Sequence, residues 1–220
     1  DIVDIDGAVD MASTLAVGGA ATFSGDVTLA SATANKPVLT LTDTNADSQG
    51  PDLVFRKDSA SPADGDELFR IYGYGDDDAG NATEGFLMLA TMTDVSNGSE
   101  DTKVRMMTYG AGSQRDTLTL AGESVGIGTT SPARSPLHLA TSGSDYCQLH
   151  MTNGTSGSAS GDGLTLFTNS TDAGLMQREN SYLLFGTNDT ERMRILAGGG
   201  LTFNGDTAAA NALDDYEEGT

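Results

Sequence analysis

The residues of this 220-residue chain that could do chemistry are two histidines, one cysteine and a large excess of carboxylates. His138 and His150 are out of phase with their apolar neighbours Leu137/Leu139 and Leu149/Met151, so an extended chain turns both away from its packed side. Their spacing fits no zinc motif, and Cys147, the single thiol, offers neither a second ligand nor an intrachain disulfide. Cys147 shares phase with Leu149 and Met151 and reads as a small buried hydrophobe. The run Asp76-Asp77-Asp78-Ala79-Gly80-Asn81 collects oxygen atoms and makes Asp76, Asp77 and Asp78 candidate calcium ligands. It lacks the alternating spacing and distal Glu of an EF-hand loop, so it reads first as a solvated loop. No phosphate cradle follows from Gly198-Gly199-Gly200, which has no Lys after it, and no Gly-x-Ser-x-Gly elbow accompanies either histidine. Carboxylate pairs could hydrolyse glycosides, but with 32 acidic residues a pair carries little information. With no Trp and six Tyr, sugar-gripping platforms are also scarce. The expectation is a protein without catalytic, cofactor or metal site.

The elements that would carry these groups are short strands. The pairs Val3/Ile5, Val9/Met11, Leu15/Val17, Ala21/Phe23 and Val27/Leu29 recur every six residues, with a spacing of two inside each pair. Asp6-Gly7, Gly18-Gly19 and Ser24-Gly25 supply turns between them. Five such hexads are too few for a solitary β-solenoid, so they are expected to thread an intertwined three-chain β-shaft, or trimeric β-helix. A short helix over residues 9–15 is the local competitor. Longer strands follow: Val38-Leu39-Thr40-Leu41, Leu53-Val54-Phe55, Leu68-Phe69-Arg70-Ile71-Tyr72, Phe86-Leu87-Met88-Leu89, Val104-Arg105-Met106-Met107 and Thr117-Leu118-Thr119-Leu120. Acidic loops lie between them, including Asp64, Asp66 and Glu67, the Asp76 to Asp78 run, and Asp94, Glu100 and Asp101.

The second half repeats the first at reduced length. Leu149-His150-Met151-Thr152-Asn153 answers Leu39-Thr40-Leu41-Thr42-Asp43, and Gly163-Leu164-Thr165-Leu166-Phe167 answers Asp52-Leu53-Val54-Phe55. Leu183-Leu184-Phe185-Gly186 answers Leu87-Met88-Leu89-Ala90. Met193/Ile195 and Leu201/Phe203 answer Leu118/Leu120 and Val125/Ile127. The expected organisation is a hexad shaft (1–35), a first β-module (36–122), a Gly/Pro connector strand (123–136), a shorter second module (137–197), and an exit strand with a linker (198–220). In the connector, Val125 and Ile127 alternate with Gly126 and Gly128. That makes one apolar edge and one bare edge against which another backbone can pack closely. Residues 208–218 could form a short Ala-rich helix, but an extended linker is preferred.

Composition points to assembly. With 28 Gly, 6% aromatic residues and 37% hydrophobic residues, a lone chain has few large side chains to fill a core. Oligomerisation is the expected remedy. The formal charge of −21 argues against nucleic acid, whose phosphates need a basic footprint, and against an anionic membrane surface. Three chains at −21 each would carry −63, a repulsion muted when salt shortens the screening length to about 8 Å or less. No apolar run is long enough for a transmembrane helix.

Residues 125–132 (Val-Gly-Ile-Gly-Thr-Thr-Ser-Pro), 186–195 (Gly-Thr-Asn-Asp-Thr-Glu-Arg-Met-Arg-Ile) and 212–220 (Ala-Leu-Asp-Asp-Tyr-Glu-Glu-Gly-Thr) resemble the repeat vocabulary of tail-fibre and other fibre proteins of bacteriophages, particularly marine ones. The resemblance covers most of the chain beyond about residue 120, and its motifs are structural. It implies parallel homotrimers of β-rich modules, often ending in a separate C-terminal tip or chaperone domain, and the sequence is accordingly expected to be a piece of a longer polypeptide.

The expected fold is therefore all-β: an elongated homotrimeric fibre in which a short-strand β-shaft precedes two repeated β-rich modules. Val125, Ile127, Leu201, Phe203, Leu15, Val17, Phe23, Val27 and Leu29 are expected to pack between chains or modules. The expected partners are further copies of the chain, other virion tail proteins and a host cell-surface glycan or protein, in an extracellular virion setting. A bacterial surface adhesin or extracellular filament would use the same modules, and a polysaccharide-degrading tailspike is the enzyme alternative.

Overall fold

The computed structural model describes residues 15–133, 136–141 and 146–213. The protein is nearly all β, with 42% strand and 2% helix, arranged in three sheets. It divides into two units, Asp1–Val54 and Phe55–Thr220.

In the first unit the described residues are exposed and irregular, with bends and one turn at residues 34–35, and none belongs to a named strand. Leu15, Val17, Phe23, Val27 and Leu29 are each more than half exposed. The stretch Val38-Leu39-Thr40-Leu41, expected as a strand, lies open in the same way, as does Leu53-Val54-Phe55 at the junction of the two units. A strand exists only by pairing its N–H and C=O groups with a neighbouring edge, and a single chain supplies no such edge here. No β-helix coil forms among the described residues. The hexad pairs Val3/Ile5 and Val9/Met11, and most of the competing helix, lie outside the described residues.

The second unit holds all twelve strands found among the described residues. β1 (Glu67–Asp76), β2 (Ala82–Asp94), β3 (Asp101–Gly110), β4 (Ser113–Ala121), β5 (Ser124–Ile127) and β6 (Leu137–Leu139) form one sheet in chain order. The first five strands are joined as an antiparallel meander. β6 returns parallel to β5, with Val125 opposite Leu137 and Ile127 opposite Leu139. The expected connector strand is thus an interior member of this sheet, next to its β6 edge, and Leu137–Leu139, placed by sequence in the second module, pairs with the first.

β7 (Cys147–Met151), β8 (Leu164–Asn169) and β9 (Asp172–Gln177) form a second antiparallel sheet, and β10 (Leu183–Thr187), β11 (Thr190–Ile195) and β12 (Leu201–Phe203) a third. The hairpin β11–β12 sets Met193 opposite Phe203 and Ile195 opposite Leu201. Its register matches β4–β5, where Leu118 faces Ile127 and Leu120 faces Val125. β10 pairs with β11. It therefore takes the place of β3, whereas sequence alignment matched it to β2. Asn188 and Asp189, both near φ +51°, make the tight two-residue turn between β10 and β11. Past β12, Ala209–Asn211 form one 3-10 turn, and Leu213 bridges back to Leu201. The described part of the tail is thus neither a continuous helix nor a free linker.

The buried apolar core is small. Among the described residues only Leu87, Leu89, Ala90 and Met107 are buried hydrophobics, against thirty exposed large ones. That imbalance is the main structural fact bearing on function.

Candidate functional site

Register decides which side chains share a face, because residues directly opposite each other in a ladder project to the same side. Across the six-stranded sheet, one row reads Ile71, Met88, Met106, Leu118, Ile127, Leu139. The next reads Phe69, Ala90, Val104, Leu120, Val125, Leu137. Every one of these positions is apolar. A soluble antiparallel sheet with one wet face alternates apolar and polar residues along each strand; β4 does so over Leu118-Thr119-Leu120, whereas β2 is apolar without a break from Phe86 to Ala90 and sends Leu87 and Leu89, with Met107 of β3, to the other side. The side that carries the two rows stays partly open: Ile71, Leu120, Ile127 and Leu137 are all 40% or more exposed. In the second row Ala90 is buried and the Phe55 ring stacks on Phe69 at 5.0 Å, and the remaining row residues are half-buried.

The other sheets repeat the arrangement. Leu149, Leu166 and Leu175 form the middle row of the second sheet, flanked by Met151 and Leu164 on one side and Cys147 on the other. In the third sheet Leu183, Phe185, Met193, Ile195, Leu201 and Phe203 make a wholly apolar block. Between β6 and the second sheet lies an apolar cleft of about 430 Å³ lined by Leu137, Leu139, Cys147, Leu149 and Leu166. The structure thus places Val125 and Ile127 on one apolar face and Leu201 and Phe203 on another. Leu15, Val17, Phe23, Val27 and Leu29 belong to the other unit.

The opposite faces hold the polar groups. There Thr119, Thr165 and Thr202 are almost fully buried. Thr119 stands in register between Arg105 and Gly126. A Cβ on Gly126 would lie 2.9 Å from the Thr129 carbonyl oxygen and 3.4 Å from Pro132. The loop after β5 therefore folds back over this part of the sheet. Gly128, at φ +75°, leaves room for the Ala140 carbonyl oxygen, 2.1 Å from where a Cβ would stand. The bare edge legible in the sequence does admit close backbone, but the backbone is the chain's own.

Both histidines sit on these polar faces and are half-buried rather than free at the surface. His138 Nδ1 accepts the Ala133 N–H at 3.2 Å, which ties down the loop after β5. His150 Nε2 donates to the Asp162 carbonyl. In the third sheet the Arg194 guanidinium makes a two-point hydrogen bond to Glu191 and lies 4.2 Å above the Tyr182 ring, which packs an otherwise costly buried cation.

The acidic loops are self-satisfied turns. Asp77 Oδ1 accepts the N–H groups of Ala79 and Asn81, and both its oxygens accept from the Asn81 side chain. Those bonds, led by the Asn81 N–H, hold its carboxyl below the usual range. Asp66 pairs with Lys57 at 2.7 Å, the main cause of its own lowered value. Asp64 and Asp94 accept the N–H groups of Val95 and Ser96. Among the described residues no three His, Cys, Asp or Glu side chains converge as a metal site would require, so the structure does not gather Asp76, Asp77 and Asp78 into one.

Sequence reasoning missed one cluster. Tyr72 and Tyr74 stack at 5.5 Å on the polar face of β1, beside Glu84 of β2 and Gln114 of β4. The Tyr72-x-Tyr74 spacing was visible, but its neighbours come from strands that two bulges shift in phase, between Gly73 and Tyr74 and between Met106 and Met107. No family model matches the chain, and comparison with curated proteins finds no match.

Proposed function

We propose that this chain is a structural component of a bacteriophage tail fibre, or other virion fibre, acting as a homotrimeric spacer and host-adhesion element. The observation that carries the reading is the pair of apolar rows spanning all six strands of the large sheet, repeated in kind on the two smaller sheets. Exposed apolar patches of this continuity mark association surfaces. A chain with four buried hydrophobics among its described residues gains its missing core by placing such faces against those of other copies. The described hexad pairs Leu15/Val17, Ala21/Phe23 and Val27/Leu29, which join no sheet, fit the same reading, since neighbouring chains would supply the edges a single chain lacks. The fibre setting rests on the resemblance of residues 125–132, 186–195 and 212–220 to phage fibre repeats. In this arrangement the polar faces and acidic turns look outward, and the high negative charge keeps assembled fibres apart in salty media.

The test is the mass of the purified chain by sedimentation in high salt, with and without a chelator. A chelator-resistant species near three times 22.6 kDa is expected. A monomer at all concentrations would overturn assembly, and gold-labelled antibody that fails to decorate virion fibres would overturn the setting.

A further inference from the structure

Of the chain's six tyrosines, Tyr72 and Tyr74 stack on β1 at one end of the polar face of the six-stranded sheet, and Tyr109 lies on β3 in phase with Met107 of the same face. Tyr72 and Tyr74 stack with an interplanar angle of 27°, and Tyr74 is 62% exposed. Tyr74 stands opposite Glu84, and Tyr109 opposite Gln114. Gln114 Nε2 donates to Glu84 Oε1 at 2.8 Å, and Arg70 donates to the Tyr72 hydroxyl at 2.8 Å. The Tyr74 hydroxyl is raised above its ordinary value by partial burial first, then by the charge of Glu84 and by Tyr72 and Tyr109. Tyr72 stands directly opposite Leu87 and flanks the small buried cluster of this face, while Tyr74 beyond it is largely exposed. The buried Leu87, Leu89 and Met107 already hold the centre of this face.

We propose that this cluster binds a neutral pyranose glycan. Exposed tyrosine rings offer an apolar surface to the C–H face of a sugar ring together with a polar rim, and phenol, carboxylate and amide groups beside them supply acceptors and donors for its hydroxyls. Charge selects among ligands that could stack on these rings. Glu84 has its negative charge at the platform, the Arg70 guanidinium on Tyr72 is neutralised by its ion pair with Glu67, and the whole chain carries −21, so phosphate-bearing nucleic acid and uronic-acid polymers are repelled while uncharged polyols are not. The ligand class deepens the adhesion reading and rests on it for its biological setting, but the site is complete within one chain.

The full chain is applied to immobilised dextran, mannan and galactan as neutral probes and alginate as an anionic one, and the affinity is measured by calorimetry on whichever neutral polymer retains it. Tyr74→Ala is expected to weaken binding by about tenfold or more, as loss of one aromatic contact would. Tyr74→Trp, which keeps a stacking surface, is expected to preserve binding and so separates ring loss from misfolding. A Val125→Asp chain that no longer assembles is expected to keep its affinity per chain, which separates failure of this site from failure of assembly. Retention on alginate alone, no retention on any neutral probe, or unchanged affinity in a folded Tyr74→Ala chain would each overturn the proposal.

Discussion

Replacing Ile127 tests the assembly reading most directly, because it lies inside the first apolar row and keeps 44% of its surface exposed on the single chain. Fully withdrawing an isoleucine from water contributes about 1.5–3 kcal/mol, so the exposed share of Ile127 still has about 0.7–1.3 kcal/mol per chain to gain from a partner. Three copies in a trimer give about 2–4 kcal/mol, which Ile127→Ala largely forfeits. That corresponds to an association constant lower by about 30- to 700-fold. Ile127→Asp adds the desolvation of an unpaired carboxylate in each chain, several kcal/mol apiece, and abolishes the trimer. Val125→Asp, on the second row, does the same. Sedimentation across a concentration series reads the assembly, and far-UV circular dichroism of the dissociated chain checks that the sheet persists. An Asp variant that sediments as an unchanged trimer would place these rows away from the interface and refute the reasoning.

Two further predictions concern the single chain. Gly128→Ala forces a side chain into the left-handed region and against the Ala140 carbonyl, at the expense of the 2.9 Å hydrogen bond from the Ala140 N–H to the Ile127 carbonyl. The backbone strain and the lost bond together cost about 2–3 kcal/mol, read as a lower urea midpoint, whereas Gly25→Ala, with open space around it, leaves the midpoint unchanged. Stability should also fall in acid. Glu191 is held below the usual carboxylate range by its hydrogen bond from Arg194, and Asp66, Glu67, Asp77, Asp94, Glu100 and Asp206 are lowered too. Groups depressed in the folded state stabilise it above their unfolded values and lose that contribution as pH drops through the folded ones, so urea midpoints should decline below about pH 4. Glu191→Gln should flatten part of that decline. Association should move oppositely, since protonation discharges the repelling chains.

Much of the β character was legible because a strand with one packed side must alternate. Pairs such as Leu118/Leu120, Met193/Ile195 and Leu201/Phe203 declare that alternation without any knowledge of neighbours. The turn at Asn188-Asp189 was not picked out, although Asn and Asp are the residue types that tolerate the left-handed backbone both adopt there. Strand existence was less secure. Val38-Leu39-Thr40-Leu41 alternates as well as any, yet forms no ladder in a single chain, because alternation marks a willingness to pair and pairing needs a second edge. The tyrosine platform was not legible as a site. Tyr72 and Tyr109 are far apart in sequence, and two bulges set which side chains share their face.

The sequence by itself determined the class of fold, the acidic surface, the scarcity of core-forming side chains and the bare Gly126/Gly128 edge, because each follows from composition or from spacing within one strand. Only the tertiary structure decided that β6 joins the first sheet, that the chain's own loop fills the glycine edge, and that twelve apolar residues line up as two unbroken rows on a face where Ile71, Leu120, Ile127 and Leu137 stay exposed. The physical reason is register: a shift of one residue in any ladder sends a strand's side chains to the other face, and no single strand carries the information that fixes its neighbour.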